Sequence, residues 1–287
     1  MQATQWRSKG ERIQVGEFKH FVYDSNNGKP PLLILHGYPT CVYDYHKALI
    51  HLEPHFRVVM HDHLGFGFSD KPMNYSYSLL EQTDQALMLW RQLGIQHATL
   101  LAHDYGTSIA TELLARQLRL GLPGLDLAAV VLCNGSMHIE MAQLRPIQKM
   151  LLNSWLGPWV AKLSRRRTLA NNLRKTYHQA ELVSEEEIDA LWTMMTAHNG
   201  REVLAQTTQY IRQRKTYWHR WIGALRGTSL PIKLLWAQND PVAVIAMART
   251  LAAEIPHNEL LELADLGHFP MLEDPARWSA AVLQLLA

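Results

Sequence analysis

Short apolar runs that stop abruptly at polar motifs, most with a helical pattern after them, constrain this chain more than any other feature. Leu32-Leu33-Ile34-Leu35 runs into His36-Gly37-Tyr38-Pro39, and Phe56 to His61 runs into the motif Asp62 to Asp70. Ala98 to Ala102 runs into His103-Asp104-Tyr105-Gly106, and Ala128 to Cys133 runs into Asn134. Unbroken apolar runs of this length suit strands buried on both faces. Helical patterns lie between them: about Tyr43 to Leu52, Ser78 to Leu93, and from Ile109 onward. Ser78 reads as an N-cap with Glu81 three residues on, and Gly94 ends that helix. Strands alternating with helices at this spacing imply βαβ units and a parallel sheet. Ligands of such sheets bind beyond the carboxyl ends of the strands, which is where all these polar motifs fall. Residues 11–15 and 18–23 alternate as a short antiparallel pair, with Asn26-Asn27-Gly28 as a turn.

The alternation stops near Met137 and resumes at Pro231. The intervening segment is helical in pattern and rich in tryptophan (Trp155, Trp159, Trp192, Trp218, Trp221), and Ser184 opens one helix as N-cap before three glutamates. The chain therefore divides into a sheet domain, 1–136 and 230–287, and a helical cap, 137–229, opposite the catalytic edge. The cap is more basic than acidic, with Arg165-Arg166-Arg167 and Arg212, Arg214 and Lys215, and this reads as a solvated face rather than a docking surface. After Pro231, a strand Ile232 to Trp236 leads to Asp240-Pro241 and a helix reaching Glu254. A last strand, Leu260 to Leu263, precedes Gly267-His268-Phe269, and Asp274-Pro275 opens the closing helix.

Composition narrows the function. With 287 residues and 47% hydrophobic content there is material for a large core. A formal net charge of +2 gives no reason to expect a nucleic-acid partner. Cys41 and Cys133 form no disulfide framework or metal motif and read as buried thiols of a reducing compartment. No stretch near Met1 reads as a signal peptide, and none approaches the ~20 apolar residues of a membrane span. The expectation is a cytoplasmic monomer or homodimer acting without metal or cofactor on a small molecule.

Asp104, Asp240 and His268 each follow a strand. Singly, each has a structural explanation: a helix N-cap, a turn former, a hydrogen-bonded loop histidine. Together, at one sheet edge, they form a nucleophile, an acid and a base. The strand–turn–helix around Asp104 holds a side chain out at its apex, and Gly106 lets strand and helix approach closely. A carboxylate there, with an ordinary pKa near ~3.9, is ionised at neutral pH. It suits displacement at a strained or activated sp³ carbon, giving an alkyl ester. His268, oriented by Asp240, would then activate water against the ester carbonyl. The backbone N–H groups of Tyr38 and Tyr105 would receive the oxyanion, each such donor supplying roughly 3 kcal/mol.

From about residue 11 to its end, the chain resembles the branch of the α/β-hydrolase superfamily that holds epoxide hydrolases and haloalkane dehalogenases, and within it the mesoderm-specific transcript-like hydrolases. The likeness is carried by His36-Gly37-Tyr38-Pro39-Thr40, Asp62 to Pro72, His103-Asp104-Tyr105-Gly106, Gln209 to Lys215, and Arg220 to Leu225. It implies a mostly parallel eight-stranded sheet flanked by helices, with an inserted cap. It also implies Asp104, Asp240 and His268 as the triad, in the chain order usual for the superfamily. Most dehalogenases hold the halide with an Asn and a Trp where this chain has Tyr38 and Tyr105, which favours epoxide opening. Tyr210, and more loosely Tyr177, stand as proton donors to the leaving oxygen. Dehalogenases often carry their acid where this chain has Asn134, whereas Asp240 occupies the epoxide-hydrolase position. His36 and Asp62 are expected to shape loops. Phe66, Phe68 and the cap tryptophans are expected to line an apolar pocket. The alternatives are dehalogenation, lactone or ester hydrolysis, and a catalytically silent binding protein on the same fold.

Overall fold

The computed structural model describes residues 1–287. Eight strands form one sheet: β1 (Glu11–Val15), β2 (Phe18–Asp24), β3 (Pro31–Leu35), β4 (Arg57–His61), β5 (His97–His103), β6 (Asp126–Cys133), β7 (Ile232–Ala237) and β8 (Asn258–Leu263), in spatial order β1-β2-β4-β3-β5-β6-β7-β8. Only β2 runs against the others, antiparallel to both β1 and β4. The order reverses at β3, which pairs with β4 on one side and β5 on the other. A sheet that changes direction there leaves a crevice beyond the carboxyl ends of those two strands. Tyr38 follows β3 and Asp104 follows β5, so the crevice is where the polar motifs meet.

The strands are buried on both faces, and their alternation separates two cores. Leu33, Leu35, Leu100, Ala102, Val130, Leu132 and Leu234 face one apolar cluster. Leu32, Ile34, Leu101, Val131, Cys133 and Leu235 face the other. Helices α3 (Leu79–Gln92), α4 (Tyr105–Leu120) and α12 (Ile245–Glu254) cover the first face. A one-turn helix α2 (Leu49–Leu52) and the closing helix α14 (Pro275–Leu286) cover the second, while α1 (Ala3–Arg7) buries Trp6 against Phe21, Tyr23 and Tyr43. The helix expected over 43–52 is instead a 3₁₀ turn, Val42–Tyr45, followed by α2. The carboxylate of Asp62 binds the Val42 N–H at 3.0 Å, fixing the turn to the loop after β4 rather than letting a helix run on. Asp274 caps α14 through the Arg277 N–H, and Ser184 forms a capping box with Glu187, as the sequence pattern implies.

Between β6 and β7 the chain is helical: α5 (Pro146–Leu151), α6 (Gly157–Lys162), α7 (Arg166–Arg174), α8 (Glu185–Thr196), α9 (Gly200–Thr207), α10 (Tyr210–Thr216) and α11 (Trp218–Gly227). A short helix, α13 (Pro270–Glu273), follows the His268 loop. Although α11 belongs to the insertion in sequence, it packs along α4 on the sheet. Arg220 and Trp221 both donate to the buried carboxylate of Glu112, the indole at 2.9 Å. No helix is long and apolar enough to cross a membrane.

Candidate active site

Asp104 sits at the turn from β5 to α4 with φ 42° and ψ −106°, a conformation that side chains rarely adopt. The turn is held from both sides. The Gly106 N–H donates to the His36 carbonyl at 3.0 Å, and the Thr107 N–H to the Asp104 carbonyl at 3.1 Å. A Cβ at Gly106 would lie 2.5 Å from the Leu35 carbonyl oxygen, so only glycine permits α4 to start so close to β3. Although Asp104 occupies the N-cap position, its side chain caps nothing in the helix. Its Oδ2 instead accepts the Tyr38 N–H at 2.9 Å. Tyr105, first in the helix, has an N–H with no intrahelical partner. Of the two backbone donors expected at an oxyanion site, that of Tyr38 meets the carboxylate itself.

His268 faces the same carboxylate, with Nε2 3.8 Å from Asp104 Oδ2. Its Nδ1 meets Asp240 Oδ2 at 2.7 Å. Asp240 divides its oxygens between two tasks. Oδ1 accepts the Val242 and Ala243 N–H groups at 2.7 and 3.0 Å, which shapes the turn, and Oδ2 accepts from His268 and from Asn134 Nδ2 at 2.7 Å. The turn former and the histidine partner are one residue. The His268 loop is fastened from the insertion: its N–H donates to the Thr176 carbonyl at 2.7 Å, and a Cβ at Gly267 would come within 2.3 Å of that oxygen. The Glu273 carboxylate ties the two segments again, accepting the Gly267 and Gln179 N–H groups. His103 accompanies them, its Nε2 2.7 Å from the His268 carbonyl oxygen.

Burial alone would raise the Asp104 carboxyl. The charges of His268 and Arg214 outweigh that and hold it well below the usual carboxylate range. Burial would likewise lower His268, but the charge of Asp240, its hydrogen bond and the nearby Asp104 push it up to about 10. Each charge thus favours the ionised form of the other, aspartate beside imidazolium.

Arg214 is the functional neighbour that sequence reasoning missed. Counted among the basic residues of a solvated face, it is in fact only 3% exposed. One Nη lies 2.7 Å from the Asp104 carbonyl oxygen and 3.7 Å from Oδ1, while Nε donates to Ser108 Oγ at 2.7 Å. The guanidinium lies 4.7 Å over the Tyr210 ring. The basic run divides too: Arg166 pairs with Glu185 and Asp189, whereas Arg165 points elsewhere, into a cavity.

That cavity holds about 810 Å³ of empty space, part of it open to solvent, between the sheet edge and helices α5 to α9. Asp104, Tyr38 and His268 lie on its core side, and Leu151, Leu169, Leu173, Trp192 and Leu204 on its helical side. The expectation for its aromatic lining needs correction. Of the five tryptophans only Trp192 lines it; Trp155 and Trp159 are exposed, and Trp221 is engaged by Glu112. Phe66 packs into the cluster of His36, Tyr38 and Tyr105, and Phe68 packs on Phe21. Tyr177 is also absent from the lining, its ring turned to Phe269, because its backbone is pinned at Gly267. Tyr210 stands one aromatic layer behind the wall, 5.4 Å from the Tyr38 ring and 5.0 Å from that of Tyr105. His36 and Asp62 shape loops as expected: His36 Nε2 accepts the His63 N–H, and Asp62 accepts the Val42 and Phe68 N–H groups.

A strained strand-to-helix turn at the switch point of a mostly parallel sheet, with a histidine–carboxylate pair brought to it from β7 and β8, defines a class. Residues 30–275 match the α/β hydrolase fold family, and the chain belongs to it. It is 37% identical over 282 residues to "Putative hydrolase LipZ" of Mycobacterium tuberculosis, covering 98% of this chain and 97% of that one. The human mesoderm-specific transcript homolog protein is 34% identical over 279 residues, 94% of this chain and 83% of that protein. Among solved structures, Cfl2 of Burkholderia cenocepacia superposes with a TM-score of 0.84 at 17% identity, over 97% of this chain and 95% of that one.

Proposed function

We propose that this chain is a hydrolase whose Asp104 attacks a hydrophobic small molecule to form an alkyl ester, and that its electrophile is an epoxide. The observation that carries this is the environment of one carboxylate: beside the cations Arg214 and His268, one oxygen on the Tyr38 N–H, the other without a hydrogen bond. Helices α5 to α10 serve as its lid, and residues 137–229 with 1–136 and 230–287 remain the division into lid and sheet domain, with α11 packed in the latter.

The protonation of His268 favours the epoxide. In opening, the carboxylate oxygen bonds to a ring carbon, the carbon–oxygen bond breaks, and the alkoxide takes up a proton. Esterification removes the Asp104 charge that helps hold His268 protonated, so the imidazolium becomes more acidic and its proton replaces the one consumed, through the water of the cavity. Neutral His268 then takes a proton from water as the hydroxyl adds to the ester carbonyl, with the oxyanion on the N–H groups of Tyr38 and Tyr105. Collapse releases the diol and restores aspartate and imidazolium. A halide takes up no proton on leaving, and the imidazolium would first have to lose its own to solvent. In-line attack sends the leaving oxygen away from Asp104, toward the helices. Tyr210, the donor that the resemblance implies, stands behind Tyr38 and Tyr105 and off the cavity wall, and burial and the Asp104 charge raise its pKa, which makes its hydroxyl a weaker acid than the imidazolium.

The test uses His268→Gln, which traps the ester. Incubation with epoxide, haloalkane and lactone panels, followed by intact mass and peptide mapping, is expected to give an adduct of the whole epoxide mass on Asp104. An alkyl adduct lacking the halogen would assign dehalogenation, and an acylated residue would assign ester chemistry. No adduct, with an inert wild type, would assign the fold to binding. Unchanged epoxide opening by Tyr210→Phe would remove Tyr210 from the mechanism.

A further inference from the structure

The helical side of the cavity carries two arginines that no carboxylate meets. In the same insertion Arg166, Arg174, Arg214, Arg220 and Arg226 each have an acidic partner. Arg145, at the start of α5, and Arg165, at the start of α7, line the cavity and form no ion pair. Arg145 Nε is buried without an acceptor, and on the same lining Ser164 Oγ is buried without a partner. Other buried polar atoms lack partners, Arg12 Nε and Trp6 Nε1 among them, but these two lie on one cavity lining and both can donate, so an acceptor entering the cavity has two donors to meet. The only acid lining the cavity is Asp104, on the core side and already countered by His268 and Arg214. The rest of the lining is largely apolar, with Leu151, Leu169, Leu173 and Trp192, beside the polar side chains of Gln148, Thr168, Asn172 and Thr176.

We propose that Arg145, Arg165 and Ser164 form an anion subsite for a carboxylate, and that the molecule presented to Asp104 is an apolar chain ending in that group. A planar guanidinium matches the two oxygens of a carboxylate, and Arg165, exposed at the surface, can meet such a headgroup as it arrives. The arrangement also sets orientation: Asp104 repels a carboxylate and the arginines attract it, so the uncharged, electrophilic part of the chain is the end that reaches the elbow. The identity of the reacting end rests on the reading of Asp104 as nucleophile, whereas the headgroup site does not.

The experiment therefore uses ligands that cannot react. Dodecanoate, methyl dodecanoate, dodecanol and dodecyl phosphate are titrated into the wild-type protein, Arg145→Gln, Arg165→Gln and Arg145→Lys, by calorimetry and by the fluorescence of the tryptophans. The wild type is expected to bind dodecanoate about tenfold more tightly than its methyl ester. Each glutamine variant is expected to lose most of that preference while its dodecanol affinity stays within about twofold, with Arg145→Lys intermediate. Melting curves establish that the variants are folded, and the ratio of acid to alcohol affinity in each protein cancels any general damage to the cavity. Equal affinity for acid and ester in the wild type, or an unchanged ratio in both glutamine variants, would overturn the subsite. Tighter binding of dodecyl phosphate than of dodecanoate would overturn the carboxylate assignment. Failure of the adduct experiment with His268→Gln, alongside a preserved acid preference, would strike the nucleophile and leave the subsite standing.

Discussion

Buried histidines along one sheet edge are shifted in opposite directions, one toward the charged form and the others toward the neutral one. His268 is wedged between Asp240 and Asp104 and pushed up to about 10. His61 and His63, just after β4, are equally buried, but their neighbours are His20, His36, Trp90 and Tyr105. Burial, and then the neighbouring histidines, press both well below the ordinary value, and none of their four ring nitrogens has a partner. His36 and His103 are pressed down as well, to about 3 and about 4. Burial is common to all five; the carboxylate is not. The upward shift of the His268 imidazole is imposed by where β7 ends, at Asp240, and the fold gives no ring of His61 or His63 a hydrogen-bonded carboxylate.

The strongest way to break this contrast is Asp240→Asn. Loss of the partner should let burial depress His268 and slow release of the Asp104 ester about 10³- to 10⁴-fold, read as the lifetime of the adduct by intact mass. An unaltered lifetime would separate His268 from its carboxylate. Next in size is Arg214→Met, which leaves the buried Asp104 charge with one cation fewer and should cost about 3–5 kcal/mol of unfolding free energy in urea. Adding Asp104→Asn should return part of that, and a double variant no better than the single would show that the pair is not coupled.

The pH dependence of stability sharpens the comparison with smaller effects. Because His268 binds its proton more tightly folded than unfolded, its contribution is complete below about 6.5 and is lost as the pH rises through about 10. Unfolding free energies from urea titrations should fall along that limb by on the order of 1–3 kcal/mol, and less steeply in Asp104→Asn. The cluster acts in reverse. Its histidines are protonated in the unfolded chain but resist it when folded, so stability falls as the pH drops below about 6.5. Replacing His61 with Phe should remove up to about one proton of that uptake, at most about 1.4 kcal/mol per pH unit, and an unchanged acid limb would place the proton elsewhere.

What was legible in the sequence follows the same geometry. Strands of a parallel sheet all end at one edge, so residues that follow them converge whatever their separation in the chain. Tyr38, Asp104, Asp240 and His268 were found in this way and lie together. The insertion has no such register. Its helices run seven to twelve residues where they bear on the site, and which face of each meets the cavity is decided by packing. Arg214 was hidden in a basic run for that reason, though its spacing from Tyr210, four residues, sets both on one helical face. The aromatic residues failed oppositely: Phe66 and Phe68 follow a strand, but their loop curls back on Asp62 and turns both rings into the core.

The fastening at Thr176 has a consequence for traffic. Because its carbonyl holds the His268 N–H and Gly267 leaves no gap between them, that part of the roof and the imidazole travel as one piece. Lifting it would unseat the base from Asp240. Molecules passing in and out must therefore cross the roof at some other point, leaving the join of Thr176 and His268 undisturbed.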